Sequence, residues 1–131
     1  MHESDPYFLN QIKQSIGNDL FVSLDIIRKM VVFIDNFSRG ELLRKFSPLV
    51  KPIGKFEVYE HQGALYINSK SYQRYNSYAH SVDAIDVEKF IDLYIQLTPL
   101  FDKAYQEIGY PAGSFTQTFD KAIELIINTP I

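Results

Sequence analysis

The chain has 131 residues, 46% of them hydrophobic and 22% charged. That is the size and composition of one globular domain, able to bury roughly two thirds of the surface its unfolded form exposes. The absence of Cys excludes disulfide frameworks, Cys-ligated zinc and thiol catalysis, and ten Phe with nine Tyr argue against disorder. Thirteen Lys and Arg against sixteen Asp and Glu give a net charge of −3, which argues against a dedicated nucleic-acid binder whose affinity rests on neutralising phosphates.

Asp5-Pro6 reads as a helix cap followed by Pro in the first turn, opening a short helix over Tyr7 to Ile16 that stops at Gly17. Asn18 and Asp19 offer the next cap. Leu20, Leu24, Ile27, Val31 and Ile34 then alternate by four and three, predicting a central helix from Leu20 to about Phe37. Ser38-Arg39-Gly40-Glu41 has the spacing of a capping box and predicts a short helix from Arg39 to Phe46, broken by Pro48 and Pro52. Two β-prone runs, Phe56 to Glu60 and Ala64 to Asn68, flank His61-Gln62-Gly63 and predict a hairpin. A lone ribbon is marginal in water, so Phe56, Val58, Leu65 or Ile67 are expected to lie against helices. Ser69 is placed to cap a helix carrying Tyr72, Tyr75 and Tyr78, and Asp83 or Asp86 opens the longest helix, through Tyr105. Pro99 lies inside it and predicts a kink near Ile95 to Thr98 or a split into two helices. Gly109-Tyr110-Pro111 ends that segment, and Ser114 to Gln117, a second capping-box pattern, starts a last helix through Ile127. The expected architecture is mainly α: a single-domain helical bundle over residues 1–131, with one short β-hairpin between the N-terminal and C-terminal helices.

The longest apolar run, Met30 to Ile34, falls far short of the roughly 20 residues a membrane span needs. His2, His61 and His80 show no metal-ligand spacing, no Gly-rich phosphate loop is present, and Gly113-Ser114 lacks the setting of a nucleophile elbow. No metal, cofactor or catalytic residue is therefore assigned. Asp83, Asp86, Glu88 and Asp92 are read as the acidic start of a helix. From Arg28 to Lys55 seven cations face two carboxylates, and from Asp83 onward eight carboxylates face three cations. Such a dipole either orients a partner or places solvated faces of opposite sign side by side.

Two groups of residues remain as candidates. Arg28, Asp35, Asn36 and Arg39 share a polar stripe on an otherwise buried helix, and charged groups there need partners. Either they lock the corner after the helix, or Arg28 and Arg39 face a cleft and bind an anionic group bidentately. Asp35 as a catalytic base is disfavoured, because neighbouring arginines stabilise its charged form. Tyr72, Arg74, Tyr75, Asn76 and Tyr78 form the second group. Spaced by three, the tyrosines either edge the core or present large contact area to a partner.

The run Ile27 to Gly40, the segment Ser71-Tyr72-Gln73-Arg74-Tyr75-Asn76-Ser77-Tyr78, and Pro99-Leu100-Phe101, Gly109-Tyr110-Pro111 and Ile126 to Pro130 in that order resemble a bacterial family known only as domain of unknown function 3014. The resemblance runs from Ser4 to Pro130. It implies an envelope protein on the periplasmic face, with an N-terminal membrane anchor and a Pro-rich linker before this domain and further chain after it. It transfers no catalytic residue. Where the family tends to carry an acidic residue after the second tyrosine, this chain has Asn76. The expected function is a noncatalytic envelope interaction domain that binds a protein or cell-wall component. The alternative is a small anionic-ligand domain with an Arg/Tyr pocket.

Overall fold

Apolar residues three and four positions apart give a helix one buried stripe, and here four such stripes meet. The computed structural model describes residues 4–16 and 25–130. In chain order, α1 (Ser4–Ile16) and α2 (Ile26–Phe37) lead to a 3-10 turn at Arg44–Phe46 and a ribbon of β1 (Val58–His61) and β2 (Ala64–Ile67). Then come α3 (Ser69–Gln73), α4 (Asn76–Asp83), α5 (Val87–Glu107) and α6 (Phe115–Ile127). Helices α1, α2, α5 and α6 pack together around Phe8, Ile26, Ile27, Val31, Leu97, Phe101, Tyr105 and Phe115, all buried. Phe8 meets Phe101 edge to face, with ring centroids 5.5 Å apart. Burying a side chain of this kind contributes about 1.5–3 kcal/mol relative to leaving it in water.

The protein is mainly α with one antiparallel hairpin, as its periodicity implies. Local details differ where a side chain finds a better partner. Asp25 adopts a left-handed conformation (φ 53°), so α2 begins at Ile26; the expected start at Leu20 and its Asn18 or Asp19 cap lie outside the described residues. The helix expected from Arg39 to Phe46 is reduced to the 3-10 turn. Ser38 closes α2 instead of opening a new helix: its Oγ donates to the Asp35 carbonyl at 2.7 Å, and Gly40 turns the chain at φ 81°. Helix α5 passes through Pro99 without splitting. Pro99 and Ile95 share an exposed face, where water can satisfy the carbonyl left without a donor. Asp86 caps α5 by accepting from the Lys89 backbone N–H at 3.2 Å. Helix α6 begins where expected, but Ser114 Oγ donates to the Pro111 carbonyl at 2.6 Å and makes no cap.

The segment between α2 and α5 forms an arm of different character. Gln62 and Gly63 both take positive φ, 51° and 79°, giving a two-residue turn suited to the twist of the ribbon, in which Tyr59 pairs with Tyr66. Every residue of β1 and β2 is exposed, and so is Phe56. The expectation that Phe56, Val58, Leu65 or Ile67 rest on helices therefore fails. Local pairing supports the ribbon instead: Tyr59 stacks on Tyr66 at 5.6 Å, and the Asn68 N–H donates to the Glu57 carbonyl at 2.9 Å.

Candidate functional site

Helix periodicity places Asp35 on the inner face of α2, in its last turn, where its side chain is 7% exposed. Its carboxylate is met from three directions. Tyr105 Oη on α5 donates to Oδ1 at 2.7 Å, while Arg39 Nη1 and Tyr110 Oη donate to Oδ2 at 2.7 and 3.1 Å. Tyr105 Oη also contacts Thr118 Oγ1 on α6 at 3.0 Å. Arg39 Nη2 donates to Asn36 Oδ1 at 3.0 Å, and Asn36 Nδ2 donates to the Val32 carbonyl at 2.7 Å.

The loop after α5 is shaped to bring Tyr110 back. Gly109 turns at φ 106°, the Tyr110 ring stacks on Tyr105 at 4.1 Å, and both oxygens of Asp102 accept from the Gly113 N–H at 2.8 and 2.9 Å. Burial pushes the Tyr105 phenol up to about 12, with the Asp35 carboxylate adding to the rise and the Thr118 contact opposing it. Tyr105 thus stays a proton donor. The hydrogen bond to Asp35 raises the Arg39 pKa, which keeps its guanidinium charged. This group ties α2, α5, α6 and the loop between the last two into one closed network. Its donors and acceptors satisfy one another, as buried polar groups generally do.

The polar stripe on α2 therefore divides. Asp35, Asn36 and Arg39 belong to the lock, whereas Arg28 is exposed and takes no part in it. Roughly three helical turns separate Arg28 from Arg39, so the pair does not converge on one small anion.

The tyrosine segment divides too, because a turn at Arg74-Tyr75 separates α3 from α4. Asn68 rather than Ser69 caps α3, accepting from the Lys70 N–H at 3.0 Å. Ser71, Arg74 and Tyr78 face inward and hold the incoming segment of residues 50–57 at three points. Ser71 Oγ donates to the Glu57 carbonyl at 2.9 Å and accepts from the Glu57 N–H at 2.8 Å. Arg74 Nη1 donates to the Gly54 carbonyl at 3.4 Å, and Tyr78 Oη donates to the Val50 carbonyl. Tyr72 and Tyr75 point outward, 62% and 51% exposed, and the Arg74 guanidinium lies 5.4 Å from the Tyr75 ring centre. Asn76 is exposed at the start of α4.

The sequence reading overlooked Tyr105, Tyr110 and Thr118. Their one local signal is Gly109-Tyr110-Pro111, a sharp turn that folds an aromatic residue back onto the preceding helix. That reading counted Lys51 and Lys55 in the basic stretch from Arg28 to Lys55 but did not join them to Lys70 and Arg74, with which they line a cleft. Among the described residues, no three His, Cys, Asp or Glu gather as metal ligands, and no helix is long and apolar enough to cross a membrane.

Fold and site together define a small mainly α domain, closed by an Asp-Arg-Tyr lock and bearing a basic, aromatic arm. The chain belongs to the family described as Protein of unknown function (DUF3014), whose pattern matches residues 26–131. The match starts at the first residue of α2, a narrower span than the expected Ser4 to Pro130. Neither the curated proteins nor the solved structures gave a match.

Proposed function

We propose that this chain is a noncatalytic interaction domain on the periplasmic face of the bacterial envelope, and that it holds a protein partner on the aromatic arm. The observation that carries this reading is the outward placement of Tyr59, Tyr66, Tyr72 and Tyr75, each about half exposed or more, while the helical core closes without them. Isolated exposed apolar residues are ordinary, whereas four exposed tyrosines between residues 59 and 75, two of them stacked on each other, suit an interface. Tyrosine gives large, stiff contact area and is enriched among residues that dominate binding energy. Aliphatic side chains decide between partner classes: Val58, Leu65 and Ile67 are exposed on the opposite face of the same ribbon from Tyr59 and Tyr66, and such side chains pack against a protein surface rather than a sugar ring. The noncatalytic part rests on Asp35, whose carboxylate is spent on three internal donors. The envelope setting rests on the family resemblance.

A photoreactive amino acid placed at Leu65 of the full-length protein in living cells tests the reading. A discrete crosslinked product is expected from position 65, with none from the exposed Lys121 on α6, and with loss of the product in Tyr72→Ala/Tyr75→Ala. Equal crosslinking from both positions, or a product that survives the double substitution, overturns the interface. Protease digestion of spheroplasts checks the compartment, since a periplasmic domain is cut without lysing the cells.

A further inference from the structure

Residues 50–57 and helices α3 and α4 enclose a cleft of about 520 Å³. Four cations line it, Lys51, Lys55, Lys70 and Arg74, against the single carboxylate of Glu57. The chain as a whole carries −3, so this concentration of positive charge runs against its composition. Among the described residues the ion pairs are Arg39 with Asp35 and Lys89 with Asp86, and neither involves the cleft. Four cations gathered around one concavity without a paired carboxylate repel one another and focus a positive potential into it.

The cleft is also held in shape. Ser71, 3% exposed, bonds both backbone groups of Glu57, Arg74 reaches the Gly54 carbonyl, and Tyr78 reaches the Val50 carbonyl. Gly54 turns at φ 92°, and a Cβ there would lie 3.5 Å from Arg74 Cδ, so the loop and the arginine are fitted to each other. Arg74 is oriented through Nε, which donates to the Ser71 carbonyl at 3.2 Å, and through Nη1. Its Nη2 donates to no acceptor among the described residues. A binding site with fixed walls forfeits little entropy on taking a ligand.

We infer that this cleft is a site for a multiply charged phosphoryl group, held by Lys51, Lys55, Lys70 and Arg74. A group with two or more negative charges on one centre matches the excess of cations. The arginine fork suits tetrahedral phosphate oxygens, and the lysines supply point charges around it. Val50, Pro52 and Ile53 form an apolar wall beside the charges, which accepts the non-ionic part of the same molecule. The site borders the outward tyrosine face at Arg74, whose guanidinium lies 5.4 Å from the Tyr75 ring centre, but none of its charges comes from those tyrosines.

Titration of the ¹⁵N-labelled chain with inorganic pyrophosphate, followed by amide chemical shifts, tests the inference. Saturable shifts are expected in residues 50–57 and 70–78, weakening at least tenfold in Lys51→Gln/Lys70→Gln. Both lysines are exposed, and Lys70 enters the α3 cap only through its backbone N–H, which glutamine keeps, so an unchanged melting temperature is expected of that variant. Shifts that do not saturate, that spread over the whole surface, or that persist in the variant overturn the site. Equal binding of citrate, an anion of similar charge without phosphorus, overturns the phosphoryl assignment. Sedimentation with vesicles containing phosphatidic acid, whose headgroup is a phosphate monoester, but not with phosphatidylcholine vesicles, reversed by pyrophosphate, identifies the group as a lipid headgroup. Pyrophosphate binding without sedimentation identifies a soluble phosphorylated ligand.

Discussion

Tyr105 and Tyr72 are the same side chain in two settings. Tyr105 is 2% exposed, donates to a buried carboxylate and stacks on a second tyrosine, while Tyr72 is 62% exposed on a five-residue helix. The surroundings of Asp35 and the arm differ in the same way. Around Asp35, polar groups answer one another: the carboxylate takes three donors, and Asn36 and Ser38 return theirs to backbone carbonyls. In the arm, Ser71, Arg74 and Tyr78 spend their hydrogen bonds holding residues 50–57, which leaves aromatic and aliphatic groups facing water. A charged residue on a buried helix is thus a poor guide to function when its partners lie within the fold. An exposed, well-anchored group with no internal partner is a better one.

Substitutions sharpen this contrast, and the core should feel them most. Phe115→Ala removes a ring packed against Phe101, Tyr105 and Phe119 and should cost about 3–5 kcal/mol in urea unfolding. Asp35→Ala should follow at about 3 kcal/mol, because Tyr105 and Tyr110 lose a charged acceptor in a buried site. A loss below about 0.5 kcal/mol would show that the network is not a lock.

The Tyr105 phenol supplies a pH test. Its pKa is raised from 10.0 to about 12, so the folded state holds its proton more tightly than the unfolded state. That contribution is fully present below pH 10 and is lost as pH rises from about 10 to 12, amounting to roughly 2–3 kcal/mol. Tyr105→Phe should be less stable at neutral pH and should lack this alkaline fall. Unfolding measured from pH 8 to 12 checks both. In the arm, Tyr72→Ala/Tyr75→Ala should change stability by less than about 0.5 kcal/mol. A larger loss would place these rings in the fold rather than on an interface.

The parts of the fold set by local chemistry were legible in advance. Periodicity at Ile27, Val31 and Ile34 marks α2, His61-Gln62-Gly63 marks the hairpin turn, Asp86 is one of two residues, with Asp83, placed to open α5, and Gly109 ends the long helical segment. Ser38-x-x-Glu41 misled because a serine hydroxyl serves either the end of one helix or the start of the next, and the geometry at Gly40 decides which. Asp35, Asn36 and Arg39 could be grouped by their spacing, since three- and four-residue separations place side chains together on a helix. Their partners could not.

Tyr105 and Tyr110 lie 70 and 75 positions beyond Asp35, and nothing in either segment specifies that separation in space. Lys51 and Lys55 come near Lys70 and Arg74 for a comparable reason, because Ser71, Arg74 and Tyr78 draw the loop onto α3 and α4. Short-range sterics and side-chain periodicity decide helices and turns residue by residue, so a single chain carries them openly. Which carboxylate is satisfied and which cations stand unpaired depends on how distant helices pack, and that is decided when the core closes.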